Sequence, residues 1–219
     1  MSKNRTPDDA RPATRLVRAG RSRDLTGPFI NPPVVRASTV LYDSADDMQH
    51  ARQKYHYGRR GTPTSEALEQ AICDLEGSEG VVLLPSGLAA ATVALLSCLS
   101  AGDDLLLTDT VYGPVRHFAD TALKRLGITT RYYDPGVGAG IEALFTPKTR
   151  AVYTEVPGSV TFEMQDLPAI AAVAKRHGAT VLCDNTWATP LYFRALEHGA
   201  DLSIIAGTKY LGGHADVMI

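Results

Sequence analysis

The stretch from residue 177 to residue 209, HGATVLCDNTWATPLYFRALEHGADLSIIAGTK, contains the pattern that decides the fold. Two short apolar runs, TVLC and LSIIA, flank a segment with helical character, and neither run alternates apolar with polar residues. Such runs, separated by helices, are typical of parallel strands that are covered on both faces. Asp184 follows the first run and Lys209 follows the second. The two side chains could simply pair with each other or with water, or both could bind a ligand between them.

The alternation of strands and helices extends outward from this stretch. Further strands are predicted for VVLLP (81–85), DLLLTD (104–109), TTRYYD (129–134) and RAVYTEV (150–156). Helices are predicted for TSEALEQAICDLEG (64–77), a largely buried GLAAATVALLSCLSAGD (87–103), VRHFADTALKRLG (115–127), LPAIAAVAKRHG (167–178) and FRALEHG (193–199). Ser65 is the expected N-cap of the first helix and Gly77 its stop signal. We therefore expect an α/β fold with a mostly parallel sheet and helices on both faces.

The two ends of the chain differ from this central part. Residues 1–60 show little periodicity and contain GPFINPPVV (27–35), whose prolines disfavour regular helix. We predict a flexible tail and an extended N-terminal arm over 1–60, followed by one α/β domain over 61–219. The last residues, HADVMI (214–219), are apolar and strand-like, so we expect the chain to be a fragment.

The composition excludes several classes of function. The chain has 219 residues, of which 44% are hydrophobic, and a formal net charge of −2, so no global field favours nucleic acid or a membrane surface. The N-terminus lacks the apolar segment of a signal peptide or anchor. The three cysteines, Cys73, Cys98 and Cys183, lie inside apolar segments, which favours reduced, buried thiols in a cytoplasmic protein.

Chemically distinct side chains follow the predicted strands, and parallel strands bind ligands beyond their carboxyl ends. Gly87 and Leu88 open a helix that could bind an anion through backbone N–H groups, although, taken alone, Ser86 and Gly87 are better explained by an ordinary strand-to-helix turn. Tyr112 could stack on a planar ligand or simply pack in the core. Asp184 could protonate a ring nitrogen, and the amine of Lys209 could condense with an aldehyde. A phosphate site, a stacking ring, an acid and an amine together match pyridoxal phosphate (PLP).

Other motifs are absent or incomplete. GVGAG (136–140) does not have the spacing of a dinucleotide-binding loop, and we interpret it as a flexible turn. The sequence has no Walker A motif, no nucleophile elbow and no histidine pattern that indicates a metal site.

Several longer motifs carry a resemblance to a known family. They are YGRRGTPTSEALEQAICDLEG, PSGLAA, DTVYGP, EVPGS, DNTWATP and GTKYLGGHADVMI. The chain, from about Gly27 to its last residue, resembles the PLP-dependent enzymes of cysteine and methionine metabolism, which include the trans-sulfuration enzymes. The resemblance implies the fold of PLP-dependent transferases, with a smaller C-terminal domain that is absent here and would supply the arginine that binds the substrate carboxylate.

The resemblance also implies roles for individual residues. Lys209 would hold the cofactor as a Schiff base and carry the substrate proton, Asp184 would bind the ring nitrogen, and Tyr112 would stack on the ring. The phosphate would be bound by Gly87, Leu88 and Thr208, and by Tyr57 and Arg59 from a neighbouring subunit. Tyr57 is also expected to take part in catalysis with Lys209 and Tyr112. Shared sites of this kind imply a homo-oligomer, most simply a tetramer built from dimers.

Two local features bear on the reaction. Ala206 stands where many relatives carry a serine, which would remove one hydroxyl from the phosphate site. PGS (157–159) and Trp187 favour β-elimination, so the resemblance implies a carbon–sulfur lyase that cleaves a sulfur-containing amino acid, cystathionine, to homocysteine, pyruvate and ammonia. The alternatives are a γ-acting relative, or a fragment that binds cofactor or other subunits without turnover.

Overall fold

The structure, a computed structural model, describes residues 10–219. Residues 1–9, which belong to the predicted tail, lie outside the described residues. The chain forms two compact units, one ending at Leu83 and one spanning Leu84–Ile219. The predicted division into an arm over 1–60 and a cofactor-binding domain over 61–219 stays a prediction.

The first unit contains four helices in its described part. They are α1 (Pro12–Arg18), α2 (Arg23–Thr26), α3 (Ala45–Gln49) and α4 (Pro63–Glu76). The first three are short helices in the segment that we expected to be extended. Helix α4 begins after Thr62, whose hydroxyl accepts a hydrogen bond from the Ser65 N–H (3.3 Å), while the Ser65 hydroxyl accepts one from the Thr62 N–H (3.0 Å). The prediction of Ser65 as the N-cap is wrong, because Ser65 is the reciprocal partner in a capping box. Gly77 ends the helix in a left-handed conformation, as predicted.

The second unit is a parallel sheet with helices between its strands. Its elements are α5 (Gly87–Cys98), β1 (Asp104–Thr108), α6 (Gly113–Phe118), β2 (Thr129–Tyr133), β3 (Thr149–Glu155), α7 (Leu167–Arg176), β4 (Thr180–Asp184), α8 (Thr189–Tyr192) and β5 (Leu202–Ile204). Helix α6 continues as a π-helical turn, and 3₁₀ segments cover Pro135–Leu144 and Ala195–His198. The strand order is β2-β1-β3-β4-β5, and every pairing is parallel. The predicted fold class is confirmed.

The central strands β1, β3 and β4 are largely buried on both faces, which explains their apolar runs. Leu105 and Leu107 of β1 lie in the core with α5 and α6, whereas Leu106 lies in the opposite core with α7. All three leucines are fully buried. Strands of this kind have no polar face, so the sequence shows no alternation along them.

Three local predictions are wrong. VVLLP (81–85) forms no strand, because no strand among the described residues lies beside it to complete a hydrogen-bonded ladder, and Val82 is 78% exposed. Helix α5 is less buried than expected, since only Ala91 and Leu95 are buried. GVGAG lies in a 3₁₀ segment that is interrupted at Gly138, and not in a flexible turn. The Asp134 carboxylate starts that segment by accepting a hydrogen bond from the Gly136 N–H (2.7 Å).

Two kinds of feature, a membrane-spanning helix and a metal-binding cluster, are not found within residues 10–219. None of the helices found there combines the length and apolar character that crossing a membrane requires. The same residues contain no cluster of three or more side chains that could hold a metal ion.

Candidate active site

Asp184 is the last residue of β4 and lies at the carboxyl edge of the sheet. One carboxylate oxygen, Oδ1, accepts a hydrogen bond from the Thr186 N–H (3.0 Å), and the other lies 3.4 Å from the Tyr153 hydroxyl, which donates to it. Burial raises the pKa of Asp184 above its ordinary value, and these hydrogen bonds only partly oppose that effect. No lysine, arginine or histidine of residues 10–219 forms an ion pair with it. A buried carboxylate of this kind is stabilised by a cationic partner.

Thr186 and Gly87 connect Asp184 with the segment that carries Lys209. The Thr186 hydroxyl accepts a hydrogen bond from the Ala206 N–H (2.8 Å). Gly87 packs against the same alanine so closely that a Cβ atom on Gly87 would lie 2.4 Å from the Ala206 Cβ. Neither contact was among the sequence-based predictions. Together they bring the end of β4, the start of α5 and the turn after β5 to one place.

The start of α5 is suited to bind an anion. Ser86 is the N-cap, and its hydroxyl accepts a hydrogen bond from the Ala89 N–H (3.1 Å). Gly87 and Leu88 are the first two residues of the helix, where N–H groups have no acceptor within the helix. Such N–H groups and the helix dipole together favour a phosphate or carboxylate at this position.

Lys209 lies in the turn that follows β5. Its backbone N–H donates to the Ala206 carbonyl (2.9 Å), and its side chain is exposed. Within the described part of the chain, the ammonium group makes no ion pair and no hydrogen bond. The hydroxyl of the preceding Thr208 donates to the Ile219 carbonyl (3.1 Å) and accepts from the Ile219 N–H (2.9 Å). The predicted role of Thr208 in binding phosphate therefore requires its hydroxyl to leave these partners.

Tyr112 lies at the same edge, immediately before α6, and its side chain is 46% exposed. Its backbone N–H donates to Glu155 Oε2 (2.7 Å). Glu155 is the last residue of β3 and was not among the predicted site residues, although a carboxylate at the end of an apolar strand is a recognisable signal. Burial, the larger cause, and the Asp184 charge, the smaller one, together raise the pKa of Glu155 to about 7. The site thus contains two neighbouring carboxyl groups, the buried Glu155 and the half-buried Asp184, where we expected one.

Three half-exposed aromatic side chains lie in the same unit. The Trp187 ring centroid is 5.1 Å from that of Phe162 and 5.3 Å from that of Tyr210, the residue after Lys209. Phe162 and Tyr210 were not among the predicted site residues.

Tyr57 and Arg59 belong to the first unit and are not part of this group. Both are exposed, and the Arg59 guanidinium lies 5.8 Å from the centroid of the Tyr57 ring. Arg59 also lines a cavity of about 510 Å³ together with Arg36, Arg60 and the start of α4. Their predicted contribution to a neighbouring subunit's phosphate site remains a prediction.

The groups at the sheet edge suit a planar, phosphorylated, cationic ring. The site offers a buried acid without a cationic partner, a helix start for an anion, an exposed tyrosine ring and an amine without a partner among the described residues. The absence of a side chain at Gly87 keeps the start of α5 against the segment that carries the amine. PLP has the functional groups that this donor set fits.

Comparisons with known proteins identify the family. The family model described as "Cys/Met metabolism PLP-dependent enzyme" matches residues 13–219. The chain is 59% identical over 206 residues to the "Putative cystathionine beta-lyase" of Rhizobium johnstonii, covering 94% of this chain and 52% of that protein. It is 44% identical over 213 residues to cystathionine beta-lyase of Escherichia coli, covering 94% of this chain and 54% of that protein.

The fold of a solved structure agrees as well. Cystathionine gamma-lyase from Lactobacillus plantarum, complexed with L-serine, superposes with a TM-score of 0.89 at 33% identity, over 95% of this chain and 53% of that chain. The chain thus spans about half the length of the curated relatives it matches.

Proposed function

The chain belongs to the family of Cys/Met metabolism PLP-dependent enzymes, and on that basis we propose that it is the cofactor-binding part of a carbon–sulfur lyase that cleaves cystathionine by β-elimination. The observation that carries the proposal is the gathering of Asp184, Tyr112, the start of α5 and the turn of Lys209 at one edge of a parallel sheet. The two relatives above that are named as cystathionine beta-lyases support the choice of reaction.

The cofactor supplies an electron-withdrawing ring that stabilises negative charge on the substrate carbon. Asp184 would bind the ring nitrogen and keep it protonated, and the ring would offset the cost of burying the Asp184 charge. Gly87 and Leu88 would donate their N–H groups to the phosphate, and Thr208 would add its hydroxyl. Tyr112 would pack on the face of the ring and exclude water from it.

Lys209 would act twice. Its Nζ atom would hold the cofactor through the aldehyde, and the same atom, as a free amine, would remove the substrate's α-proton. β-Elimination needs only this proton to be removed before the bond between carbon and sulfur breaks. A γ-acting enzyme needs a further proton transfer at the β-carbon, so one well-placed base is sufficient for the proposed reaction.

Tyr57 and Arg59 would complete the phosphate site of a second subunit in a homo-oligomer, most simply a tetramer with shared active sites. Arginine suits this role because its guanidinium can donate two parallel hydrogen bonds to a phosphate. A cytoplasmic location is part of the proposal, because the cysteines lie in apolar segments.

Two measurements test the proposal. The purified protein, incubated with PLP and reduced with borohydride, should carry the label on Lys209 in a peptide map, and a label on another lysine would refute the assignment. A protein extended to the length of its relatives should release pyruvate from cystathionine. Dominant release of 2-oxobutyrate would place it with γ-lyases, which the Lactobacillus plantarum structure represents.

A second candidate is a chain that binds cofactor or other subunits without turnover. The observation in its favour is that the chain covers only 52–54% of the curated relatives. Pyruvate release by the 219-residue chain at a rate similar to that of the extended protein would exclude this candidate.

A further inference from the structure

Glu155 occupies a position that the proposed function leaves unexplained. It is only 8% exposed, and it lies at the end of β3 directly opposite Asp184 at the end of β4. Residues that are paired in register on parallel strands point to the same face of the sheet, so the two carboxyl groups share one side. A buried glutamate without a cationic partner is costly, and neither oxygen forms an ion pair within residues 10–219.

The contacts of Glu155 connect the site to its surroundings. Oε2 accepts the hydrogen bond from the Tyr112 N–H (2.7 Å), and Oε1 accepts one from the Ser159 hydroxyl. The backbone carbonyl of Glu155 accepts a third hydrogen bond from the Gln165 side chain (2.7 Å). One side chain therefore joins β3, the loop after β3 and the turn that carries Tyr112.

Other contacts fix the residues around the Tyr112 N–H: the Val111 N–H donates to the Thr108 carbonyl (3.2 Å), and the Tyr112 carbonyl accepts from the Val115 N–H (2.9 Å). Tyr112 precedes the helix, and no side chain of the described residues caps the start of α6. The Ser159 N–H donates to the Thr110 carbonyl (2.9 Å), and a Cβ atom on Gly158 would lie 2.4 Å from the Thr110 hydroxyl oxygen. These contacts place Thr110, but among residues 10–219 only Glu155 accepts a hydrogen bond from the N–H of Tyr112.

We propose that Glu155 is a positioning residue: its carboxyl group holds the backbone of Tyr112 and thereby sets where the Tyr112 ring stands beside Asp184. The proposal rests on the proposed function for the identity of the ligand, whereas the anchoring itself is a property of the free protein. Glu155 can anchor in either protonation state, because a proton on Oε1 would be donated to the Ser159 oxygen and leave Oε2 as the acceptor for Tyr112.

The charge of this anchor depends on the groups that face it. They are Asp184 on β4 and the Tyr153 phenol on β3, with the Ser159 hydroxyl and the Tyr112 N–H as neutral donors. Burial and Asp184 raise the pKa of Glu155 to about 7, so its proton is lost near neutral pH. The hydrogen bond from Tyr112 then becomes charge-assisted and stronger. Tyr112 should therefore be held more firmly above pH 7 than below it.

Glu155→Gln and Glu155→Ala test the proposal in the cofactor-free protein. Glutamine resembles protonated Glu155, because its carbonyl can accept from Tyr112 while its amide donates to Ser159. Below pH 7, amide exchange of Tyr112 should be close to native in Glu155→Gln. Above pH 7 it should be at least tenfold faster in Glu155→Ala than in the native protein, since a hydrogen bond to a charged group typically accounts for about a factor of ten or more. Glu163→Gln, an exposed glutamate in the same loop, is the matched control and should leave the exchange unchanged.

A second measurement needs no substitution. The amide proton resonance of Tyr112 in the native protein should titrate with a midpoint near pH 7, and this titration should vanish in Glu155→Gln. An unchanged exchange rate in a folded Glu155→Ala, or a Tyr112 resonance that does not titrate near neutral pH, would overturn the proposal. Both readouts are independent of PLP, so failure of PLP to bind Lys209 would refute the proposed function and not the anchor.

With PLP added, Glu155→Ala should bind the cofactor at least tenfold more weakly, and Glu155→Gln should restore most of that loss. Equal loss in both variants would show that the charge of Glu155, and not its hold on Tyr112, matters for the cofactor.

Discussion

Replacement of Gly87 by alanine tests whether the start of α5 must lie against the segment that carries Lys209. A Cβ atom on Gly87 would lie 2.4 Å from the Ala206 Cβ and 2.9 Å from the Ala206 Cα, whereas ordinary contacts begin at 3.4 Å. The helix start or the 206–209 segment must therefore move by roughly 1 Å. Neither side can respond by rotating a flexible side chain, because both contacts are to the backbone or to a Cβ atom.

The cost of this movement has two parts. Overpacking a close contact typically destabilises a protein by about 1–3 kcal/mol, which denaturant-induced unfolding of the cofactor-free protein can measure. The same movement separates the N–H groups of Gly87 and Leu88 from the turn of Lys209. A hydrogen bond to a charged group contributes about 1.5–3 kcal/mol, so PLP affinity should fall by about ten- to hundredfold, measured by absorbance titration.

Gly113→Ala is the matched control. Gly113 is also the first residue of a helix, α6, and a Cβ atom on it would meet nothing within 4 Å. Alanine at that position should leave stability unchanged or raise it slightly, because it restricts the unfolded chain. Adding Ala206→Gly to Gly87→Ala should recover part of the loss, since it removes the 2.4 Å contact but not the 2.9 Å contact. The packing argument is wrong if Gly87→Ala has the same unfolding free energy and PLP affinity as the native protein. It is also wrong if Gly113→Ala lowers these two quantities as much as Gly87→Ala does.

Three further predictions concern the charges. Asp184→Asn should lower PLP affinity strongly yet stabilise the cofactor-free protein at neutral pH. The pKa of Asp184 is raised in the folded protein, so its contribution to stability is lost as pH rises through that pKa, and asparagine carries no charge to bury. A variant less stable than the native protein at pH 7 would contradict this. Asp104→Ala should cost about 3–5 kcal/mol of unfolding free energy, since Asp104 is 4% exposed and pairs with Arg131 and Thr149, whereas Glu142→Ala in an exposed pair with Arg176 should change little. Burial alone would raise the pKa of Asp104, but Arg131 and Thr149 lower it overall, so its contribution should disappear as pH falls towards the acid range. Hybrids of extended Arg59→Ala and Lys209→Ala subunits should regain some activity, and complete failure in verified hybrids would show that Arg59 acts within its own chain.

The fold could be predicted from the sequence because its strands are buried on both faces. The strand conformation of runs such as DLLLT and TVLCD follows from their burial alone. Their predicted boundaries agree with those of β1 and β4 within one or two residues. VVLLP is also apolar but forms no ladder with a strand among the described residues, and composition does not reveal whether a partner strand is present. The N-cap of α4 was misplaced because Thr62 and Ser65 both suit the position, and only the backbone geometry decides between them.

The site could be predicted only in part, for a related reason. Asp184 ends β4 and Lys209 lies in the turn after β5, so their place at the sheet edge follows from topology. The contact of Glu155 with Tyr112 spans 43 residues and depends on the conformation of two turns, which no local pattern specifies. The approach of Gly87 to Ala206 depends in the same way on how α5 packs, although a glycine at the start of a helix was a usable signal.

The register of the sheet makes the proximity of two carboxyl groups unavoidable. β3 and β4 are paired from Ala151 and Thr180 to Glu155 and Asp184 without interruption. A slip of one residue would move Asp184 to the opposite face and take Leu182 out of the core that contains Tyr153. The hydrophobic pattern that fixes the strands therefore also forces Glu155 and Asp184 together. Burial raises the pKa of both carboxyl groups, and repulsion from the Asp184 charge adds to the rise at Glu155. A cation bound at Asp184 would relieve that repulsion at both residues, so the cofactor-free site is already arranged to favour a positively charged ring.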